Sequence, residues 1–132
     1  MSDNTAVYLN IVSSEHGPEE VTQMLGLAYD KSWRIGDKRG RSSIIQKDNG
    51  WVLTSKLSSS APLEDHISDL LVRLADHTDA IREISRRDEV QLSCVIHSAD
   101  PPPLNFSKDL VHNLSQLGAS LDIDLYMTGD EE

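Results

Sequence analysis

The sequence predicts an α+β fold, an antiparallel-rich mixed sheet with its helices on one face, and two observations lead there. Segments that alternate apolar and polar residues are interleaved with segments whose apolar residues recur at helical spacing, in the order β, α, β, β, α, β and then a further α and β. The alternating segments each keep a polar face, as strands buried on one side do.

Ala6 to Ser13 sets Val7, Leu9 and Ile11 against Tyr8, Asn10 and Val12 and reads as the first strand. Gly17-Pro18 opens a helix, with Glu19 and Glu20 complementing its positive end and Val21, Met24 and Leu25 as its buried stripe. Gly26 ends it, and Leu27 is placed to pack back on the last turn. Tyr29 to Arg41 has no period and reads as a long loop. Asn49-Gly50 is a strong two-residue hairpin signal, and centring a turn there sets Ile44 opposite Ser55, Gln46 opposite Leu53 and Asp48 opposite Trp51. Leu63, Ile67, Leu70, Leu71, Leu74, Ala75, Ile81 and Ile84 keep one helical stripe. Asp76 to Asp79 interrupt it with poor helix formers, but the stripe runs through them and predicts one continuous helix.

Glu89 to Ser98 alternates Val90, Leu92, Cys94 and Ile96 against Gln91, Ser93, Val95 and His97. Pro101 to Pro103 make a stiff connection. Phe106 and Ser107 read as staple and N-cap of a helix, with Val111 as the staple's partner, and Gly118 follows Leu110, Leu114 and Leu117 as the C-cap. From Ser120 the period returns to two: Leu121, Ile123 and Leu125 point inward to complete the core, and Asp122, Asp124 and Tyr126 point out. Gly129 to Glu132 is expected as an acidic frayed tail. The first six elements match the ferredoxin-like βαββαβ pattern. The C-terminal αβ unit adds a right-handed crossover, so its strand should run parallel to the one at Glu89 to Ser98.

The 132 residues suit one α+β domain over 1–132, and the one cysteine, Cys94, excludes an internal disulfide framework and suits the reducing cytoplasm. No secretory leader pattern opens the chain and no run of apolar residues approaches membrane-spanning length, so no membrane association is expected. A charge of −10 disfavours general nucleic-acid binding. Between Lys31 and Arg41, five basic residues face one acid, a local +4 that leaves −14 on the remainder.

Two constellations could carry function. Trp33, Arg34, Arg39 and Arg41, with two glycines, have the ingredients for stacking or anion binding but not phosphate-loop spacing. Asp122 and Asp124 project from one strand face roughly 6 to 7 Å apart, where His97 would complete a metal-ligating group with Tyr126 behind it; the bland alternative is a solvated strand face. The five histidines lack metal-ligand spacing and read as surface residues, and Cys94 reads as buried filler. No cofactor motif occurs.

Several segments together resemble the uncharacterised, mainly bacterial family called domain of unknown function 4279. They are the first strand with Pro18-Glu19-Glu20-Val21-Thr22-Gln23-Met24-Leu25-Gly26, the Arg34-Ile35-Gly36-Asp37 loop, Trp51 opening a strand, and Leu117-Gly118-Ala119-Ser120-Leu121-Asp122-Ile123-Asp124. The resemblance implies a small intracellular domain and assigns no catalytic residue. The expected function is a non-catalytic binding or protein-interaction module, in self-associating or immunity-like form, whose partner is another protein or a second copy. The alternative is a small enzyme or metal- or ligand-binding domain using Asp122, Asp124 and His97.

Overall fold

The computed structural model describes residues 3–128, so the tail expected at Gly129 to Glu132 lies outside the described residues. The strands are β1 (Asn4–Ser13), β2 (Lys31–Trp33), β3 (Asn49–Thr54), β4 (Glu89–Ser98) and β5 (Ser120–Met127). The helices are α1 (Pro18–Leu25), α2 (Leu63–Leu74), α3 (Thr78–Ser85) and α4 (Lys108–Leu117). The strands form one mixed sheet in the order β2-β3-β1-β4-β5. All neighbours are antiparallel except β4 and β5, which run parallel as the crossover predicts.

Register explains the core. Leu9 lies between Leu53 and Leu92, and Ile11 between Trp51 and Val90, so one face collects the branched apolar side chains of the central strands. Ile67, Leu70 and Leu74 of α2, Ile81 and Ile84 of α3, Val21 and Leu25 of α1, and Leu114 and Leu117 of α4 bury against them in one cluster. Trp51 is fully buried and donates its indole N–H to Thr22 Oγ1 at 3.1 Å, which fixes α1 on β3.

The local caps form as expected. Gly26 has φ 70° and donates to Thr22 O, Leu27 bonds the same carbonyl, and Gly118 has φ 71°. Ser107 accepts the Leu110 N–H as N-cap of α4. Phe106 packs against the core, but Val111 is 54% exposed and does not serve as its staple partner.

Five further expectations are corrected. The long helix breaks into α2 and α3 around a 3-10 turn at Ala75–His77. His77 supplies the cause: its Nδ1 lies 2.8 Å from Leu25 O, a tertiary bond that holds residue 77 at φ −120°. The expected loop contains β2. Asn49-Gly50 is not a turn but the start of β3, opposite Trp33 and Val12. Gly50 lacks the positive φ a type I′ turn needs, and a Cβ there would collide with the Trp33 ring. Finally, His66 is buried at 1% exposure, not at the surface, while Leu121 and Leu125 are 38% and 39% exposed, so only Ile123 of β5 joins the core. No helix among the described residues is long and apolar enough to cross a membrane.

Candidate interaction surface

The face of the sheet opposite the helices carries the outward-pointing half of every strand. From the registers, Lys31 aligns with Val52, Asn10, Gln91 and Ser120, and Thr54 with Tyr8, Ser93 and Asp122. The Lys31 ammonium sits 5.4 Å from the Tyr8 ring centroid, so a cation and an aromatic share one end of this face.

At the β2 edge the chain makes an excursion before returning as β3. Gly36, at φ 93°, turns it within an Arg34–Asp37 bend that is closed from both sides: Asp37 N–H donates to Arg34 O, and the Asp37 carboxylate accepts the Arg34 N–H at 2.8 Å. Gly36 N–H then donates to Gln46 O, Gln46 N–H to Asp37 O and Arg39 N–H to Ile44 O. Lys38 bridges Ile45 in antiparallel sense. The segment is therefore a small ordered hairpin, and its tip is held by Ser42, whose hydroxyl donates to Arg39 O at 2.7 Å. Asn49 Oδ1 accepts the Ile35 N–H and ties its base to β3.

This hairpin is both basic and apolar outside. Lys38, Arg39, Arg41 and Lys47 are exposed, and so are Ile35 at 53%, Ile44 at 53% and Ile45 at 45%. Trp33 lies across Gly50 and, with Val12, Arg39, Ile44 and Gln46, borders a shallow cavity of about 430 Å³. Of the four residues the sequence singled out here, Trp33 and Arg39 meet at that cavity and Arg41 stands exposed at the tip. Arg34 turns away and pairs with Glu19 of α1. The Arg34 hydrogen bond, then that of the Tyr29 hydroxyl, hold the Glu19 carboxyl below the usual range, and the Arg34 guanidinium is raised in return.

Asp30, just before β2, pins the same edge. Burial by itself would raise its carboxyl, but the Lys56 ammonium at 2.6 Å and the Thr54 N–H at 2.8 Å outweigh burial and hold it below the ordinary value. Arg73 of α2 stands 3.9 Å away.

Asp122, Asp124 and His97 share the open face at its far edge. Among the described residues no three His, Cys, Asp or Glu side chains gather closely enough to hold a metal ion. The His97 ring instead stacks on Tyr126, centroids 4.9 Å apart. Cys94 is fully buried on the core side, where burial, with the nearby Asp122 carboxylate, pushes its thiol up to about 12. Such a thiol is inert as a nucleophile.

Two features escaped the sequence reading. The hairpin pattern sets Ile44 on a strand arm, although two adjacent isoleucines, Ile44 and Ile45, beside a basic run signal an apolar and cationic protrusion. Ser55 Oγ and His66 Nδ1 lie 2.7 Å apart, and His66 Nε2 is buried with no hydrogen-bond partner among the described residues. His66 falls three residues after Leu63 and four before Leu70, a spacing that places it on the buried stripe. The pair does not form a nucleophile triad, because the hydroxyl meets Nδ1 and no carboxylate among the described residues orients Nε2. In the groove between α3 and α4, Arg82 bonds Asp79 at 2.7 Å and Gln116 at 3.1 Å.

The family model described as domain of unknown function (DUF4279) matches residues 3–128. No curated protein and no solved structure matches the chain.

Proposed function

Since the chain belongs to the DUF4279 family, whose description names no activity, we propose from its surface chemistry that it is a non-catalytic protein-interaction module. Its binding element is the hairpin from Trp33 to Lys47 with the adjoining open sheet face, and its partner is a protein with an acidic contact surface. The observation that carries this reading is the exposure of Ile35, Ile44 and Ile45 beside Lys38, Arg39, Arg41 and Lys47 on a chain whose net charge is −10. Apolar side chains clustered on a protrusion, with aromatic and arginine neighbours, have the composition of an interface centre and its rim. Opposite charge on the partner would speed encounter and set orientation, while the isoleucines supply desolvation. The single buried Cys94 supports a reducing, cytoplasmic setting.

The test uses Trp33, since the other indole, Trp51, is buried and reports little on solvent. Titration with polyglutamate as an acidic probe should change Trp33 emission in a saturable, salt-weakened way. Arg39→Glu with Arg41→Glu should abolish the response. In affinity capture from lysate, Ile44→Asp should release the proteins the wild-type chain retains. Unchanged emission together with identical capture by both chains would overturn the reading.

A further inference from the structure

We propose that a second copy of this chain pairs with the β5 edge, antiparallel and centred on Leu125, to form a closed two-fold dimer with one continuous sheet. The proposal goes beyond the hairpin reading and concerns the opposite edge of the sheet.

The first support is the backbone. Thr128 donates its N–H to Ser98 O at 2.8 Å, so by strand alternation the even-numbered residues of β5 bond β4. Leu121, Ile123, Leu125 and Met127 therefore turn their N–H and C=O groups away from the sheet. Edge strands are normally blunted by short length, proline, charged side chains, a bulge or a covering element. β2 meets that rule, with three residues and the hairpin beyond it. β5 meets it only through Asp122 and Asp124 on its open face: it is eight residues long, lacks proline and lysine, and pairs with β4 in unbroken register from Ser120 to Met127.

The second support is what surrounds that edge. Leu121, Leu125 and Met127 are exposed on its helix side, and Val111 of α4 is exposed on the flank opposite Gln116, the side chain that meets Arg82 of α3. A free strand edge bordered by apolar side chains accepts an extended strand.

The third support selects the occupant and its register. In an antiparallel pair, directly opposed residues share a face, so β5 against itself must be centred on a residue. Centring on Ile123 sets Asp122 against Asp124 twice, and centring on Asp124 sets that carboxylate against its own copy. Like charges directly opposed are destabilising. Centring on Leu125 opposes no carboxylates: Leu125 meets its counterpart, Ile123 meets the partner's Met127, and Asp124 meets the partner's Tyr126, whose hydroxyl can donate to it. The two aspartates thus act against the wrong registers. The dimer consumes the long free edge of each chain and leaves only the short β2 edges, so association closes at two.

Leu125→Cys tests register directly. Two directly opposed, hydrogen-bonded antiparallel residues have Cα atoms about 5.5 Å apart, within disulfide reach. Mild oxidation of the full-length variant should give a covalent dimer, whereas the wild type, with Cys94 buried, should give none. Sedimentation equilibrium of the wild type between about 1 µM and 1 mM, a span of affinities typical of weak and moderate complexes, should show a dimer. Leu125→Lys should weaken it about 100-fold, since like charges meet at the axis, with circular dichroism unchanged. A wild type that stays monomeric throughout, or cross-linking by Asp124→Cys in place of Leu125→Cys, would overturn the proposal. Arg39→Glu with Arg41→Glu should leave the dimer intact, which separates this result from the hairpin test.

Discussion

The two edges of the sheet solve the same problem by opposite chemistry. β2 is three residues long and depends on contacts brought from elsewhere: Trp33 over Gly50, Asn49 on the Ile35 N–H, and Asp30 among Lys56, Thr54 and Arg73. β5 is eight residues long and depends on an unbroken parallel ladder with β4 and the packing of half-buried Ile123 on the core. A short edge needs polar anchors because it has too few ladder bonds to hold itself. A long edge holds itself and in return leaves its outer backbone without a partner strand among the described residues. The basic, elaborated edge is thus suited to a foreign acidic surface and the bare one to another strand.

The largest expected effect separates the edges by deletion. Truncating the chain after Gly118 removes β5 and should cost about 4 kcal/mol or more, enough to abolish cooperative urea unfolding. Replacing the hairpin tip Arg39 to Ser43 with a short glycine-containing turn should cost under about 1 kcal/mol, since those residues are exposed. Equal losses from the two deletions would dissolve the contrast.

Gly50→Ala sharpens the account of the β2 edge. The new methyl occupies the space of the Trp33 ring, so a loss of about 1 to 3 kcal/mol is expected, with red-shifted Trp33 fluorescence as the ring is displaced. An unshifted spectrum would mean that the ring does not depend on Gly50.

The smallest effect is the acid dependence of the Asp30 anchor. Its carboxyl is held below the ordinary value of 3.8, so the stabilisation is present above that value and is lost as pH falls through the lowered one. Asp30→Asn should therefore lower the melting temperature at neutral pH, by the equivalent of about 1 kcal/mol or less given solvent screening. The difference from wild type should vanish in strong acid. A difference that persists at low pH would assign the anchor to hydrogen bonding without charge.

The sequence by itself determined what local chemistry decides. The bounds of β4 and β5 were legible because period-two alternation and the Gly118 stop are properties of consecutive residues. The ends of α1 and α4 were legible for the same reason, through Pro18, Gly26, Ser107 and Gly118. Of the candidate residues, Trp33 and Arg39 border one cavity, but pairing Arg34 with Glu19 and stacking His97 on Tyr126 required distant segments to meet. Tertiary structure alone decided three further points. The Trp33 ring over Gly50 made a strand of a turn signal, and the Leu25 carbonyl at His77 broke a helix whose stripe is continuous. The outermost place of β5 left Leu121 and Leu125 exposed, although their alternation is that of core residues. Alternation states which face a side chain joins; only the strand order states whether anything stands beside that strand to cover it.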